Sequence, residues 1–169
     1  GKKVVTGDFN GDGRTDIVTY SLNSSFQFQA EMYISTGHAF IYKVGARNFW
    51  FAGYLERILP GDFDGDGKTD LAHYMQSAIG WTIDVYRSTG DRFTYESQWA
   101  HSQGTYARDM QWVAGDFNGD RRTDLARYWD DGGKFSADIH LSTGFGFTNQ
   151  AWARQQGLAG SMDDWNWLT

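Results

Sequence analysis

Apolar and polar residues alternate along several short segments of this chain. In residues 16–22, DIVTYSL, the side chains of Val18, Tyr20 and Leu22 fall on one side of an extended backbone, and the residues between them fall on the other. The later segments DLAHYMQ and DLARYWD also alternate. A period of two is typical of a β-strand with one buried face. Helical periodicity is missing throughout, so the pattern predicts an all-β chain.

Three more predicted strands accompany each of these segments. The second strand ends in a Ser-Thr-Gly turn, at residues 35–37, 88–90 and 142–144. The third strand begins at a recurring aromatic residue, Phe40, Phe93 or Phe147. The fourth strand leads into the next acidic segment, around Leu55–Leu59 and Gln111–Ala114.

An acidic motif recurs at a fixed spacing. It reads GDFNGDGRTD at 7–16 (loop 1), GDFDGDGKTD at 61–70 (loop 2) and GDFNGDRRTD at 115–124 (loop 3), with starts 54 residues apart. Four short strands in each repeat of this length predict the blades of a β-propeller. An all-β solenoid or another antiparallel array is the alternative. Residues 1–169 are predicted to form a single array of three repeats, at residues 7–60, 61–114 and 115–168.

The two ends of the array indicate how it could be completed. Residues 164–169, DWNWLT, match residues 109–114, DMQWVA, which precede loop 3, while KKVVT already precedes loop 1. One strand is therefore surplus to three blades, and three blades are too few to close a ring. We expect either a piece of a larger propeller or a homo-oligomer whose chains share one ring.

The composition narrows the class of protein. Among 169 residues there are 29 aromatic residues and 21 glycines but one proline, which suits many strands joined by tight turns. The absence of cysteine excludes a disulfide framework. No apolar run reaches the roughly 18 residues of a membrane span, and the first residues lack a hydrophobic signal region, so we expect a mature or trimmed secreted product, or a cytosolic one.

The negative charge of the chain is concentrated in the three acidic loops. The net charge of −6 argues against a nucleic-acid surface. Loops 1 to 3 hold ten of the 21 acidic residues, and three divalent cations would bring the formal total to zero. The acidity therefore indicates a metal rather than a basic partner.

Each loop places oxygen ligands at its positions 1, 3, 5 and 9, and a backbone carbonyl at position 7. Calcium is bound in proteins by such mixtures of carboxylate, amide and carbonyl oxygens. The predicted ligands in loops 1, 2 and 3 are Asp8, Asn10, Asp12, Arg14 (carbonyl) and Asp16; Asp62, Asp64, Asp66, Lys68 (carbonyl) and Asp70; and Asp116, Asn118, Asp120, Arg122 (carbonyl) and Asp124.

Two other interpretations of the loops are weaker. Asp, Asn and Gly also form ordinary turns, but three copies with the same oxygen positions favour a metal site. An EF-hand would need glutamate at position 12, where the chain has Thr19, His73 and Arg127, and helices where strands are predicted. Gly13 and Gly67 at position 6 allow a sharp turn, whereas loop 3 has Arg121, which predicts a loss of affinity or occupancy there.

The DxDGDGxxD loop and the later STGxxF segment resemble the FG-GAP or VCBS repeats of integrin α-chain propellers and of many secreted microbial proteins. The resemblance covers the whole chain. It implies a propeller with about three structural Ca²⁺ ions, an extracellular location, and recognition rather than catalysis. Propeller lectins of the Psathyrella type have similar repeats and bind sugars.

A few residues are candidates for ligand contacts. Glu31, Asp84 and Asp138 lie in mid-strand, each four residues before the serine of a Ser-Thr-Gly turn. Solvated or hydrogen-bonded strand positions are one interpretation of them, and contact with a ligand, for Asp84 and Asp138, is the other. Tryptophans can stack on the apolar face of a sugar, and the candidates are Trp99, Trp129 and Trp152, for which packing in the core or at its rim is the alternative. The four histidines show no metal-ligand spacing. The tyrosines and other aromatic residues that recur in every repeat are predicted to pack between blades.

These patterns favour a secreted, non-catalytic recognition module that binds glycans, with calcium in each loop. An adhesion or structural propeller that binds an extracellular protein is the second hypothesis. The third hypothesis is an accessory domain of a secreted enzyme. No unique cluster of polar residues indicates a catalytic site, so we predict that the chain itself is not an enzyme.

Overall fold

The computed structural model describes residues 1–25, 27–50, 57–77, 80–103 and 110–156. These residues form twelve strands, and none of them belongs to a helix long and apolar enough to cross a membrane. The strands are β1 (Lys3–Gly7), β2 (Asp16–Leu22), β3 (Gln27–Ser35), β4 (Phe40–Trp50), β5 (Arg57–Gly61), β6 (Asp70–Ser77), β7 (Gly80–Ser88), β8 (Phe93–Gln103), β9 (Gln111–Gly115), β10 (Asp124–Asp130), β11 (Phe135–Ser142) and β12 (Phe147–Gln156).

The strands form three antiparallel four-stranded sheets, in the orders β1-β2-β3-β4, β5-β6-β7-β8 and β9-β10-β11-β12. We call these sheets blades 1, 2 and 3. They confirm the predicted all-β architecture of propeller blades, and in the described part of the chain they do not close into a ring.

Each blade begins one strand before its acidic loop. The strand predicted around Leu55–Leu59 is observed as β5, which pairs with β6 of blade 2, and Leu55 lies outside the described residues. β1 has the same place in blade 1. The matching segment at 164–169 also lies outside the described residues.

The order of the strands brings two recurring elements of each repeat together. The acidic loops join the first and second strands of their blades, and the Ser-Thr-Gly turns join the third and fourth. In an antiparallel meander these two connections lie at the same end of the sheet. Each turn is closed by a backbone hydrogen bond, for example from Thr36 N to the carbonyl of Ala39 at 2.8 Å.

The hydrophobic core lies between the blades rather than within a single sheet. Phe28 and Met32 of blade 1 belong to a buried cluster with Leu71 and Tyr86 of blade 2. A second cluster joins the opposite face of blade 2 to Leu125 and other residues of blade 3. Blade 2 is therefore covered on both faces, which is why most residues of β7 are buried.

The recurring aromatic residues contribute to this packing as predicted. Tyr20 and Phe28 are buried in the first cluster, and Tyr74 and Trp81 are buried in the second. Phe28 stacks on Tyr86 of blade 2 with ring centroids 4.6 Å apart. The alternation of period two places these aromatic residues on one face of each sheet, and there they pack against the next blade.

The outer strand of every blade is bulged. The pairing between the third and fourth strands changes register next to Ala30, between Ile83 and Val85, and next to Ala137. In blade 2 the bulge contains Gln98, which has a φ of 57° and donates its backbone N–H to Asp84 at 2.7 Å. A β-bulge bends its strand and turns side chains in new directions, so it places Gln98 at the edge of a cleft described below.

Candidate functional site

Each acidic loop folds around the carboxylate of its first residue. In loop 1, Asp8 accepts hydrogen bonds from the backbone N–H groups of positions 4, 5 and 6 at 2.8, 3.0 and 2.7 Å. Asp62 in loop 2 and Asp116 in loop 3 accept the same three bonds. The three loops therefore share one backbone course, with a carboxylate at its centre.

Loop 3 keeps this course although position 6 is not glycine. Arg121 has a φ of 70°, close to the 82° of Gly13 and the 85° of Gly67. Its N–H donates to Asp116 at 2.9 Å, as the glycines do in their loops. A side chain in this left-handed region costs roughly 1–3 kcal/mol. Arg121, in place of glycine at position 6, therefore strains the backbone of loop 3 without changing the shape of the loop.

We expect the substitution Arg121→Gly to stabilise the chain by about 1 kcal/mol, because relief of strain exceeds the roughly 0.5–1 kcal/mol that glycine loses in unfolded-state entropy. This free energy corresponds to a rise of about 2–4 °C in the melting temperature of a chain of this size. The reverse change in loop 1, Gly13→Arg, should lower the melting temperature. Thermal unfolding followed by circular dichroism measures both, and an unchanged or lower value for Arg121→Gly would contradict the assignment of strain.

The aspartate at position 9 fastens each loop to the Ser-Thr-Gly turn of its own blade. Asp70 accepts the N–H of Phe63 at 3.2 Å through one carboxylate oxygen and the N–H of Ser88 at 2.7 Å through the other. Asp16 and Asp124 make the equivalent bonds in blades 1 and 3. All three aspartates are fully buried. Their carboxylates are therefore fixed in position before any ligand arrives.

The acidic side chains of loop 2 converge. One carboxylate oxygen from each of Asp62, Asp64 and Asp70 lies within 4.8 Å of the others. Ligands on opposite sides of a Ca²⁺ ion are separated by about twice its 2.3–2.6 Å bond length, so this spacing suits such an ion. In loops 1 and 3 an asparagine occupies position 3, and it donates to the aspartate at position 5 at 2.7 and 3.0 Å.

Two aspartates of loop 2, Asp62 and Asp70, would be stabilised by a bound cation, whereas Asp64 already forms an ion pair with Arg87. Burial, followed by repulsion from Asp64 and Asp66, raises the pKa of Asp70 to about 7. Burial also raises the pKa of Asp62. Both shifts record the cost of holding several carboxylates together with little water, and a divalent cation among them would remove that cost. The donor set therefore fits a hard divalent ion.

A basic side chain at position 7 covers the outer side of each loop. Arg14 pairs with Asp12, Lys68 Nζ lies 2.7 Å from Asp66, and Arg122 pairs with its equivalent, Asp120. The Nε atom of Arg14 also donates to the carbonyl of Ser35 at 3.0 Å. The sequence singled out position 7 only for its carbonyl, so this second role of its side chain was not predicted.

The loops also join neighbouring blades. The carbonyl of Asp8 accepts the N–H of Thr69 at 2.7 Å, and the carbonyl of Phe9 accepts the hydroxyl of Ser88 at 2.6 Å. The same two bonds join blades 2 and 3, from Thr123 to Asp62 and from Ser142 to Phe63. The serine of the Ser-Thr-Gly turn is thus an inter-blade contact, and its recurrence in every repeat was the signal for it.

The acidic residues predicted in mid-strand make hydrogen bonds or ion pairs within the chain. Asp84 is buried and accepts the Tyr95 hydroxyl at 2.7 Å. Asp138 is buried and forms ion pairs with Arg127 and Arg154. Glu31 pairs with Lys2. These contacts position the carboxylates, and their role as ligand contacts stays a prediction.

The three candidate tryptophans lie in different places. Trp99 is buried between blades 2 and 3, with its ring 5.5 Å from that of Phe147. Trp129 is half-buried, with the guanidinium groups of Arg127 and Arg154 at 5.5 and 5.2 Å from its ring centre. Trp152 is exposed on the outer face of blade 3. The structure therefore does not bring them together into one site.

One of these tryptophans lines a cleft between blades 2 and 3. The cleft has a volume of about 350 Å³, and its wall includes Gln98, Trp99, His101, Ser102, Arg127 and Asn149. His140 lies at its base, and burial lowers the pKa of this imidazole to about 4, so it is neutral near pH 7. Its polar residues come from four strands of two blades, with Gln98, His101 and Ser102 all on β8, so apart from Trp99 the cleft was not predicted from the sequence.

The family model described as FG-GAP-like repeat matches residues 8–73 and, one repeat later, residues 62–127. Each match begins at position 1 of one acidic loop and extends past the end of the next loop. The chain belongs to the FG-GAP-like repeat family. A search of curated proteins found no significant match.

Membership supports part of the prediction made from the residues. FG-GAP repeats often bind Ca²⁺, and the acidic cluster of loop 2 agrees with that property. Domains of this family mediate protein interactions and are generally non-enzymatic. The propeller-like fold of this FG-GAP chain accordingly supports a recognition or adhesion module.

Proposed function

We propose that this chain is a secreted, non-catalytic recognition module whose blades are stabilised by calcium and whose ligand is a carbohydrate. The cleft between blades 2 and 3 carries the carbohydrate part of this proposal. The acidic loops carry the calcium part. We include an extracellular setting in the proposal because calcium is abundant there.

About three Ca²⁺ ions would be held, one in each loop. The side-chain ligands would be the residues at positions 1, 3, 5 and 9, and the carbonyls of Arg14, Lys68 and Arg122 would complete the sets. The ion would neutralise the loop carboxylates and hold the loop against its own Ser-Thr-Gly turn. Since the loop carbonyls also bind the next blade, the ions would stabilise the contacts between blades as well.

The lining of the cleft suits a sugar. Sugars combine hydroxyl groups with apolar ring faces, and the cleft offers amide, hydroxyl and imidazole groups beside the aromatic rings of Trp99 and Phe147. Its volume of about 350 Å³ lies at the lower end of the range of small-molecule sites, roughly 300–1,000 Å³. A neutral His140 can exchange hydrogen bonds with a hydroxyl group.

A glycan array followed by calorimetry tests this proposal. We expect binding to a subset of neutral glycans, and we expect Asn149→Ala to weaken it at least tenfold without changing the melting temperature, because Asn149 is exposed at the cleft. Thr148→Ala is the matched control, since Thr148 is the preceding exposed residue on the same strand and points to the opposite face. A folded, calcium-loaded chain that binds no glycan would overturn the carbohydrate assignment.

A protein ligand is the second candidate. It is favoured by an apolar groove of about 570 Å³ on the outer face of blade 3, whose wall includes the exposed side chains of Val113, Phe117 and Trp152. Exposed apolar patches of this kind mark protein contact sites on many proteins. Glycan silence together with a protein bound at this groove would favour the adhesion function.

A further inference from the structure

A chain of hydrogen bonds joins loop 2 to the wall of the cleft between blades 2 and 3. Arg87, on β7, donates from its Nε atom to Asp64 of loop 2 at 2.6 Å. Its Nη1 atom donates to one carboxylate oxygen of Glu96, on β8, at 3.1 Å. The other oxygen of Glu96 accepts the indole N–H of Trp99 at 3.0 Å. Three successive contacts therefore connect a proposed calcium ligand to an aromatic residue of the cleft wall.

The two ends of this network are buried. The side chain of Asp64 is 4% exposed, and the Nη2 atom of Arg87 contacts the same carboxylate oxygen as Nε does. At the other end, Trp99 is 5% exposed. The side chains of Arg87 and Glu96 between them are partly exposed. Because partly buried charges are screened less than charges on the surface, a change of charge at Asp64 is felt by Arg87.

The link between loop and strand belongs to blade 2 and not to the repeat. Loop 2 has an aspartate at position 3, where the other two loops have asparagine, and blade 2 has an arginine directly before the serine of its turn. The equivalents of Asp64 and Arg87 are Asn10 and Ile34 in blade 1, and Asn118 and Leu141 in blade 3. The additional carboxylate of loop 2 is thus accompanied by its own cationic partner.

Blade 3 offers a natural comparison, because it has the tryptophan contact without the arginine. There Trp152 donates its indole N–H to Gln150 at 3.1 Å. Gln150 lies opposite Ile139, as Glu96 lies opposite Val85 in blade 2. A neutral glutamine therefore has the place of the charged Glu96. The substitutions that convert blade 2 to the pattern of blade 3 are consequently Arg87→Leu and Glu96→Gln.

We propose that Arg87 is a positioning residue that couples the calcium occupancy of loop 2 to the hydrogen bond of Trp99 in the cleft. The proposal rests on the calcium and cleft assignments made above. When loop 2 holds a divalent ion, Asp64 shares its negative charge between that ion and the guanidinium, so Arg87 pairs more closely with Glu96. Glu96 then holds the indole of Trp99 less strongly. Since such coupling is reciprocal, a ligand that contacts Trp99 changes the calcium affinity of loop 2 by the same factor.

A titration of the chain with calcium chloride, followed by ¹H–¹⁵N NMR, tests the proposal. The backbone N–H of Gly67, which donates to Asp62 at 2.9 Å, reports the filling of loop 2. The indole signal of Trp99, assigned by its loss in Trp99→Phe, should move in step with it. In Arg87→Leu the Gly67 signal should still move and the Trp99 signal should stay in place. Arg92→Leu is the matched control, because Arg92 is an exposed arginine of the same blade that pairs with Asp91, and it should behave as the native chain does.

The Gly67 signal separates a failure of the coupling from a failure of the calcium assignment. If the Gly67 signal moves in the native chain and the Trp99 signal does not, or if the Trp99 signal moves equally in Arg87→Leu, the coupling is overturned and the calcium site stands. A folded native chain whose Gly67 signal ignores calcium would overturn both. Glu96→Gln keeps an acceptor for Trp99 but removes the charge that Arg87 binds, so it should also reduce the movement, and it repeats the test if Arg87→Leu lowers the stability of the fold.

Discussion

Removal of calcium with a chelator should lower the melting temperature of this chain by roughly 20 °C. At a calcium concentration of about 100 times the dissociation constant, each site stabilises the folded state by about 2.7 kcal/mol. Three such sites contribute about 8 kcal/mol, and each kcal/mol corresponds to about 2–4 °C for a chain of this size. The loops tie the blades to one another, so the loss should affect the whole array rather than one corner.

Differential scanning calorimetry with and without EDTA measures this effect. Restoring calcium in excess should recover the original melting temperature, whereas magnesium should recover less, because it demands a smaller and more regular octahedron of ligands. A melting temperature that does not change with EDTA would contradict a structural role for the ions.

Asp70→Ala should cause a large loss of stability. Two backbone N–H groups, those of Phe63 and Ser88, would lose their acceptor, at a cost of roughly 1–3 kcal/mol each. The calcium site that we propose in loop 2 would lose its most buried ligand, which adds about 2.7 kcal/mol at the calcium concentration given above. We therefore expect a loss of about 5–9 kcal/mol in calcium.

Comparison of two conditions separates these contributions. In EDTA, Asp70→Ala loses only the hydrogen bonds, so the difference from the native chain should be smaller than it is in calcium. Asp91→Ala is the control, because Asp91 is an exposed aspartate outside the acidic loops. Equal losses in the two conditions would mean that Asp70 acts through its hydrogen bonds alone.

The period of the sequence was sufficient to predict the blades. The alternation in DIVTYSL and its equivalents became β2, β6 and β10, and the Ser-Thr-Gly segments became turns, because both signals depend on the local geometry of an extended chain. The pairing of β5 with blade 2 could not be inferred in the same way. It depends on where one sheet ends and the next begins, which the repeat length leaves open.

The acidic loops could also be recognised in the sequence, because all the side-chain ligands proposed for one site lie within nine residues. The cleft could not be predicted from the sequence, because Gln98, Arg127 and Asn149 come together only when blades 2 and 3 pack. The particular partners of Asp84 and Asp138 were also not predictable. A single sequence does not show which donors on neighbouring strands will form hydrogen bonds or ion pairs with a given carboxylate.

The number of calcium ions bound per chain tests the central claim most directly. Equilibrium dialysis with radioactive calcium, on a chain shown by circular dichroism to be folded, should give three ions for the native sequence and two for Asp70→Ala. Binding of no calcium by the folded native chain at millimolar concentrations would contradict the account.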